Sequence, residues 1–299
     1  MKYKPKIAVI GGDLRQYAVA KELSGRDISV YAYGLCVEGC GDERICECAE
    51  VSEALDSADA IVLPLPASLD GNVLNCPALK NSERIPLERI IDQALCNTVL
   101  FGGRIPEGIV VRAQARGIKV NDYFLSERLQ IKNAYITAEA AVSIAMNSLD
   151  KCIKGSRMAI TGTGRISRLL AELLIKLGAE VTVAARNADS LVYFELMGCK
   201  TVKMENGWSN GFEHGFDIIF NTVPSWLFDR KFLEAVDREA LIIELASAPG
   251  GVDICAAREL SSNVRWASSL PGKYAPYSAG VLIAEYITEA LESCGEGGI

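Results

Sequence analysis

The sequence predicts an α/β protein with two doubly wound parallel sheets, and three observations lead to this fold class. Short apolar runs alternate with helix-like stretches in two successive series, which is the order of elements in a parallel α/β sheet. The runs are continuously apolar, as in strands that a sheet buries on both faces. With 299 residues, the chain is also longer than one domain of ordinary size. We therefore expect two α/β domains, one from each series.

The first series starts close to the N-terminus and contains five strands and three helices. The predicted strands are residues 7–10, 28–33, 60–65, 98–101 and 118–120. The predicted helices are residues 14–23, 87–95 and 107–116. Two stretches rich in turn-forming residues, 34–48 and 64–86, are expected to be loops.

A long helical pattern separates the two series. It runs from residue 124 to 149 without a proline or glycine, which is too long for an ordinary crossover and indicates a helix that bridges two domains. The strands of the second series are predicted at 158–161, 180–184, 217–220, 241–245 and 265–267. A last helix, predicted for 278–291, is expected to return to the N-terminal domain. The predicted domains are therefore 1–130 together with 276–295, and 131–275.

The composition of the chain indicates which kinds of molecule it can bind. The formal net charge of −7 and the lack of a long basic run argue against nucleic acid, because phosphate binding needs clustered lysines and arginines. No segment approaches the roughly 20 apolar residues that a membrane span needs. The first residues lack the apolar stretch of a secretory signal, so a cytoplasmic location is expected. Small molecules or other proteins are the expected partners.

Four of the ten cysteines crowd one predicted loop, at Cys36, Cys40, Cys46 and Cys48. Their spacing matches no zinc or iron–sulfur pattern, so free thiols and no metal site are expected. Adventitious metal binding or a redox-sensitive loop is the alternative.

The second series opens on a glycine-rich turn between a strand and an amphipathic helix at 166–177. Gly162 permits the tight turn, and Gly164 allows a pyrophosphate to approach the backbone. Thr163, Arg165 and Ile166 complete the turn and the start of the helix, whose free N–H groups favour phosphate. Such a strand–turn–helix is typical of dinucleotide-binding domains. Because both series alternate strands with helices, both domains are predicted to be Rossmann-like, with a flavodoxin-like or Rossmann-like first domain.

The end of the next predicted strand indicates which dinucleotide binds. Arg186 stands 24 positions after Gly162, where an acidic residue would bind the ribose hydroxyls of NAD. A guanidinium can instead pair with a 2′-phosphate, so Arg186 and the following Asn187 predict NADP, with NAD as the alternative cofactor. Arg186 could also be only a solvated strand end. Residues 131–275 are thus the predicted NADP-binding domain and 1–130 the predicted substrate domain.

Residues 221–224 follow one predicted strand of the same series and residues 244–247 end another, and ligands of doubly wound sheets bind at the carboxyl ends of strands. We therefore expect both segments beside the nicotinamide. The candidate cofactor-binding residues there are Asn221, Thr222, Val223, Pro224, Leu245 and Ala246. Pro224 could equally be an ordinary turn residue.

Six segments in order along the chain carry a resemblance to a known family. They are GGDLRQ at 11–16, AIVLPLP at 60–66, NAYITAEAA at 133–141, GTGR at 162–165, ELASAPGGVD at 244–253 and LPGKYAPYSAG at 270–280. Together they resemble the A subunit of dipicolinate synthase, an enzyme family of sporulating bacteria. The sequence departs from the family's pattern at Ile136, Ala140, Ser167 and Ser278.

The resemblance implies a reaction, a partner and a setting. The implied reaction converts 4-hydroxy-tetrahydrodipicolinate to dipicolinate with NADP as electron acceptor, on a branch of the diaminopimelate and lysine pathway. The implied partner is the flavoprotein-like B subunit of dipicolinate synthase, in a hetero-oligomer. The implied location is the cytoplasm of the mother cell during sporulation.

A dicarboxylate substrate requires cationic or N–H-rich groups. The candidates for substrate binding are Arg15, Asn133 and Lys273, and those for acid–base catalysis are Lys273, Glu139 and Thr137. Each charged candidate could instead be a solvated surface residue. The one histidine, His214, precedes a predicted strand, away from the carboxyl edge, and is expected to be a solvated loop residue.

Two other functions stay open from the sequence. One is an NADP-dependent dehydrogenase of the shikimate or alanine type, which would share the two-domain architecture. The other is a non-catalytic nucleotide-binding partner of a flavoprotein subunit that holds the chemistry itself.

Overall fold

The computed structural model describes residues 4–35, 42–80, 84–204 and 214–296. It contains two six-stranded sheets in which all neighbouring strands are parallel. The predicted α/β class is confirmed. The chain divides into two compact units, Met1–Asn133 with Ala275–Ile299, and Ala134–Tyr274.

The elements are numbered here in chain order. The strands are β1 (Lys6–Ile10), β2 (Ser29–Tyr33), β3 (Ile45–Glu47), β4 (Ala60–Val62), β5 (Val99–Gly102), β6 (Lys119–Asp122), β7 (Arg157–Thr161), β8 (Glu180–Ala185), β9 (Lys200–Lys203), β10 (Ile218–Asn221), β11 (Leu241–Glu244) and β12 (Val264–Trp266). The helices are α1 (Leu14–Ser24), α2 (Val51–Leu55), α3 (Leu87–Gln93), α4 (Glu107–Ala115), α5 (Glu127–Ser148), α6 (Arg165–Lys176), α7 (Ala188–Leu196), α8 (Arg230–Ala235), α9 (Ile254–Glu259), α10 (Leu270–Tyr274) and α11 (Pro276–Glu296).

The sheet of the first unit has the order β3-β2-β1-β4-β5-β6, so the strand order reverses between β1 and β4. Alternate residues of each strand enter different apolar clusters, because successive side chains point to opposite faces. Ala8 and Ile10 pack with α2, α3 and α4, while Ile7 and Val9 pack with α1 and α11. The predicted return of the C-terminal helix to the N-terminal domain is therefore confirmed.

The close packing of α11 on α1 depends on a glycine. A Cβ atom on Gly280 would lie 2.4 Å from the carbonyl oxygen of Arg15 and 2.5 Å from the Cβ of Ala18. No side chain fits at these distances, so Gly280 lets the two helices approach each other at this point.

The sheet of the second unit has the order β12-β11-β10-β7-β8-β9, which reverses between β7 and β10. One face packs against α6, α7 and the second half of α5. The other face packs against α8 and α9. Both units are thus doubly wound, and the 22-residue helix α5 runs from one unit into the other as the predicted bridge.

Several short elements were not predicted. The interpretation of 34–48 as a loop is wrong at β3, an edge strand in which only Ile45 is buried. The edge strand β9 contains no buried residue, so neither β3 nor β9 has the continuous apolar pattern of a central strand. The short helices α2, α7, α8 and α9 follow no long periodic pattern. The short helix α10, which contains Lys273, was not predicted either.

Of the helices in the described part of the chain, none combines the length and the apolar character that crossing a membrane would require.

Candidate nucleotide-binding site

The turn after β7 has a backbone that requires glycine at its first position. Gly162 has a φ of +93° and donates its N–H to the carbonyl of Ala184 at 2.8 Å. A Cβ atom here would lie 2.7 Å from the Thr222 hydroxyl oxygen and 2.8 Å from a methyl of Val223. Gly162 therefore closes the turn against the segment that follows β10.

Gly164, two positions later, lies beside open space at the start of α6. It is the N-cap of α6, with a φ of −75° and no side chain to cap the helix. A Cβ atom on Gly164 would meet no atom within 4 Å. The first turn of α6 carries no acidic residue and begins with Arg165. The N–H groups of this helix start are thus approachable by an anion, as a pyrophosphate requires.

A pocket of about 240 Å³ lies beside this turn. Its lining residues come from the ends of β7 and β8, the segment that follows β9 and the segment that follows β10. They are Gly162, Thr163, Ala184, Ala185, Arg186, Asn187, Met204, Val223 and Leu227. The size, apolar walls and adjoining helix start fit the adenosine half of a dinucleotide.

Arg186 lies exposed at the rim of this pocket, directly after β8. Within the described ranges, no hydrogen bond or ion pair holds its guanidinium, which can therefore pair with an incoming phosphate. Asn187 has a structural task as well, because its side-chain oxygen caps α7 by accepting the N–H of Asp189 at 2.9 Å.

A row of polar residues ends three adjacent strands of the second sheet. Asn221 of β10 is in register with Thr161 of β7 on one side and with Glu244 of β11 on the other. All three side chains are fully buried. Thr161 donates its hydroxyl to Asn221 Oδ1 at 2.6 Å, and Asn221 Nδ2 donates to both Glu244 oxygens at 2.9 and 2.8 Å.

The carboxyl group of Glu244 accepts further hydrogen bonds from the loop that follows its strand. The N–H of Ala246 donates to Oε1 and the N–H of Gly251 donates to Oε2, each at 2.9 Å. Burial raises the pKa of Glu244, and the hydrogen bonds from Asn221 and the backbone N–H groups oppose that rise.

The side chains of Thr222 and Ser167 form hydrogen bonds next to the glycine turn. The Thr222 hydroxyl donates to the carbonyl oxygen of Thr161 at 2.8 Å and lies 2.8 Å from the hydroxyl oxygen of Ser167. Ser167 is the residue at the third position of the glycine motif, in the first turn of α6. Its hydroxyl therefore ties the helix to the end of β10.

The remaining predicted cofactor residues differ in what they can offer. Pro224 is exposed, and Val223 lines the pocket. The N–H of Leu245 donates to the carbonyl of Asn221, and the Leu245 side chain packs in the core. The N–H of Ala246 donates to the carboxyl group of Glu244. A cofactor could contact these last two residues only through a carbonyl or side chain.

The predicted acid–base residues of the second unit have different environments. Thr137 is buried in α5, whereas Glu139 is exposed on the same helix. Lys273 is exposed in α10, and its backbone N–H contacts the carbonyl of Ser269 at 3.3 Å.

Arg15, the predicted clamp of the first unit, is largely buried and already paired. Its Nε and Nη2 donate to the carboxylate of Asp13, and Nη2 also donates to the carbonyl oxygen of Leu65 at 2.5 Å. Its side chain is 11% exposed, and Nη1 donates no hydrogen bond to the described residues. Asn133, the other substrate candidate in this unit, is half-buried on α5.

The sequence interpretation placed Glu244 in a segment beside the nicotinamide, but it assigned no role to Glu244 itself or to Thr161. Glu244 could have been noticed as an acidic residue that ends an otherwise apolar strand. Its connection to Thr161 depends on the order of β7, β10 and β11, which no local pattern reports.

His214 and the loop cysteines are the remaining residues that the sequence analysis considered. His214 is exposed and its Nδ1 lies 3.0 Å from Asp237. Cys46 and Cys48 are free thiols, whereas Cys36 and Cys40 lie outside the described residues. Among the residues that the structure describes, no three His, Cys, Asp or Glu side chains group as metal ligands.

Comparison with known proteins gives one consistent result. Residues 6–124 match the family model for the N-terminal domain of the dipicolinate synthase A subunit. The A subunit of dipicolinate synthase from Bacillus subtilis (strain 168) is 29% identical over 289 residues, which cover 96% of this chain and 95% of that protein. The crystal structure of the dipicolinate synthase A chain from Bacillus subtilis has a TM-score of 0.82 and 27% identity, over 99% of both chains.

A solved dehydrogenase shares the fold at lower identity. L-alanine dehydrogenase has a TM-score of 0.59 and 13% identity, over 92% of this chain and 84% of that one. By itself this likeness shows the fold alone. Together with the curated relative, it supports the predicted oxidoreductase class.

Proposed function

Because the chain is related over nearly its whole length to the A subunit of dipicolinate synthase, which confirms the predicted resemblance, we propose that it catalyses the NADP-dependent formation of dipicolinate. The observation that carries the proposal is the 29% identity over 96% of the chain. The site of the second unit supports it, since its glycine turn, pocket and Arg186 suit a dinucleotide with a 2′-phosphate.

The residues that would hold the cofactor follow from the geometry of the site. The N–H groups at the start of α6, beside Gly164, take the pyrophosphate. Arg186 and Asn187, at the rim of the pocket, take the phosphorylated ribose. The segments that follow β10 and β11, from Thr222 to Pro224 and from Leu245 to Ala246, lie at the carboxyl edge of the sheet, where the nicotinamide half binds. NADP, when bound, supplies the hydride acceptor.

The overall reaction balances without a further oxidant. Loss of one water from 4-hydroxy-tetrahydrodipicolinate gives a dihydropyridine dicarboxylate, and removal of one hydride and one proton from that ring gives dipicolinate. Aromatisation supplies driving force, so the protein mainly has to orient the ring and accept a proton. Glu139, an exposed carboxylate on α5, and Lys273 are our candidates for that proton transfer, together with Thr137, which lies two positions before Glu139.

The two substrate carboxylates need donors, and the environment of Arg15 limits its part. Its Nε and Nη2 donate to the Asp13 carboxylate, and Nη2 also donates to the Leu65 carbonyl. Nη1 therefore remains as the donor to a substrate carboxylate. Arg15 therefore supplies one hydrogen bond rather than a bidentate fork. Lys273, whose ammonium is exposed, and Asn133 are the other candidate donors to a substrate carboxylate.

The relative's designation as a subunit suggests a second chain. We propose that the B subunit of dipicolinate synthase is the partner, and that this chain carries out the redox step itself. Purified chain should form dipicolinate from freshly prepared 4-hydroxy-tetrahydrodipicolinate and NADP, measured by the ultraviolet absorbance of the product. Addition of the B subunit should then either raise the rate of dipicolinate formation or leave it unchanged.

The same assay separates the competing functions. Turnover that appears only with the B subunit, while this chain still binds NADP, would indicate the non-catalytic nucleotide-binding partner. Oxidation of shikimate or alanine in place of dipicolinate formation would contradict the proposed substrate. An equal rate with NAD would contradict the proposed cofactor.

A further inference from the structure

Glu244 is a buried carboxyl group surrounded by hydrogen-bond donors. Its side chain is fully buried at the end of β11, and Asn221 Nδ2 and the N–H groups of Ala246 and Gly251 all donate to it. In the part of the chain that the structure describes, no lysine, arginine or histidine lies within ion-pair distance of it. The carboxyl group is thus held by neutral donors alone.

The orientation of the Asn221 amide is fixed by the backbone around it. The N–H of Val223 donates to Asn221 Oδ1 at 3.1 Å, and the carbonyl of Val223 accepts from Nδ2 at 3.0 Å. A flipped amide would place oxygen against oxygen and N–H against N–H. Asn221 therefore presents Nδ2 to Glu244, and every hydrogen bond that the described residues make to the Glu244 carboxyl group comes from a donor. These donors oppose the rise in the Glu244 pKa that burial causes. Such a donor-only environment favours the carboxylate.

The carboxylate also fixes the shape of the loops at the carboxyl edge of the sheet. It binds both ends of the 246–251 loop through Ala246 and Gly251. The carbonyl of Gly251 in turn accepts the N–H groups of Leu227 and Phe228 from the segment after β10. Glu244 thus connects the two segments that are expected to line the nicotinamide half of the site.

We propose that Glu244 is a positioning residue for the nicotinamide half of the site, and that its negative charge makes the site bind oxidised NADP more tightly than reduced NADPH. This inference rests on the proposed function, since it takes the dinucleotide to lie along the carboxyl edge of the second sheet. The nicotinamide ring carries a positive charge when oxidised and none when reduced. A buried carboxylate close to it therefore stabilises the oxidised form selectively.

The size of the effect follows from Coulomb's law. At an effective dielectric constant of about 20 and a separation of about 10 Å, one unit charge changes the ratio of the two affinities on the order of ten-fold. A purely structural role would weaken both cofactor forms by the same factor and leave this ratio unchanged.

The test measures the dissociation constants of NADP and NADPH by calorimetry for the wild-type chain, Glu244→Gln and Thr161→Val. Thr161→Val is the matched control, because it removes the hydroxyl that donates a hydrogen bond to Asn221 Oδ1 but keeps the charge of Glu244. We expect Glu244→Gln to reduce the preference for NADP on the order of ten-fold, and Thr161→Val to weaken both forms equally. Equal ratios in the wild type and Glu244→Gln would overturn the inference.

Adenosine 2′-phosphate 5′-diphosphoribose, which lacks the nicotinamide, reports on the rest of the site. Its affinity should be similar in the wild type and Glu244→Gln. If Glu244→Gln does not fold, the wild-type ratio decides: several-fold tighter binding of NADP than of NADPH supports the inference, and equal or weaker binding contradicts it. Failure of the wild type to bind any of the three molecules would instead overturn the proposed cofactor site, and the inference with it.

Discussion

The hydroxyl oxygens of Ser167 and Thr222 lie 2.8 Å apart and join the first turn of α6 to the end of β10. Ser167 occupies the third position of the glycine motif, where a small residue is needed for close packing of helix and strand. Its side chain is completely buried, so the hydroxyl needs a partner, and Thr222 provides it. The departure from glycine is therefore matched by a residue that directly follows a neighbouring strand.

This pairing predicts an energetic coupling between the two residues. Thr222→Val removes the hydroxyl that contacts both Ser167 and the Thr161 carbonyl, and should lower the free energy of unfolding by about 1–3 kcal/mol. Ser167→Ala should lower it less, and the double variant should show a coupling of about 0.5–1.5 kcal/mol in urea denaturation. Thr182→Val serves as the control, since no hydrogen bond of the Thr182 side chain is found among the described residues. Additive effects of Thr222→Val and Ser167→Ala would contradict the pairing.

The sequence predicted those features of the fold and site that depend on local patterns. The central strands β1, β7 and β10 are continuously apolar and were placed within a residue or two. The edge strand β3 was missed because Cys46 and Glu47 are exposed and leave no apolar run.

The same distinction holds within the site. Gly162 and Arg186 could be identified from their spacing along one strand–helix–strand unit. The Asn221–Glu244 contact joins residues 23 positions apart, and it depends on the pairing of β10 with β11. The fork between Arg15 and Asp13 depends on a side-chain conformation rather than on the pattern, so the sequence could not show that Arg15 is already paired.

The two glycines of the turn should respond differently to alanine. Gly162→Ala places a Cβ atom at a positive φ and against Thr222 and Val223, so we expect a loss of about 2 kcal/mol or more in the free energy of unfolding. Gly164→Ala has no such conflict, and its stability should stay within about 0.5 kcal/mol of the wild type. Its methyl group occupies the space that the pyrophosphate needs, so NADP affinity should fall at least ten-fold, roughly. Thermal unfolding and calorimetric titration would measure the two effects, and a stable Gly162→Ala variant would refute the first.

Arg186 should decide between the two dinucleotides. Arg186→Asp removes the charged donor for the 2′-phosphate, so NADP affinity should fall roughly 10- to 100-fold while NAD affinity is kept or rises. The matched control is Arg238→Asp, because Arg238 precedes β11 and lies at the opposite, amino edge of the same sheet. The control should bind both dinucleotides like the wild type. An unchanged ratio of NADP to NAD affinity in Arg186→Asp would show that Arg186 is only a solvated strand end.

Asp217 should make the stability of the second unit depend on pH. It accepts hydrogen bonds from the Lys151 ammonium and the Arg157 N–H, each at 2.8 Å, just before the strand that carries Asn221. Partial burial acts to raise the pKa of Asp217, but Lys151 and the Arg157 N–H outweigh it and hold the pKa below the ordinary value of 3.8. The folded state thus binds its proton less readily than the unfolded state, so the stabilisation is present above pH 3.8 and is lost as the pH falls through the folded-state pKa.

Asp217→Asn should therefore lower the free energy of unfolding by about 1–3 kcal/mol at pH 7, and the difference from the wild type should shrink as the pH falls below about 4. Urea denaturation at a series of pH values would measure it. Asp27→Asn is the control, because its ion pair with Lys4 is exposed on both sides and contributes about 0.5 kcal/mol or less. A difference between Asp217→Asn and the wild type that stayed constant from pH 7 to pH 3 would mean that the Asp217 charge does not hold the start of β10, and hence does not help to position Asn221.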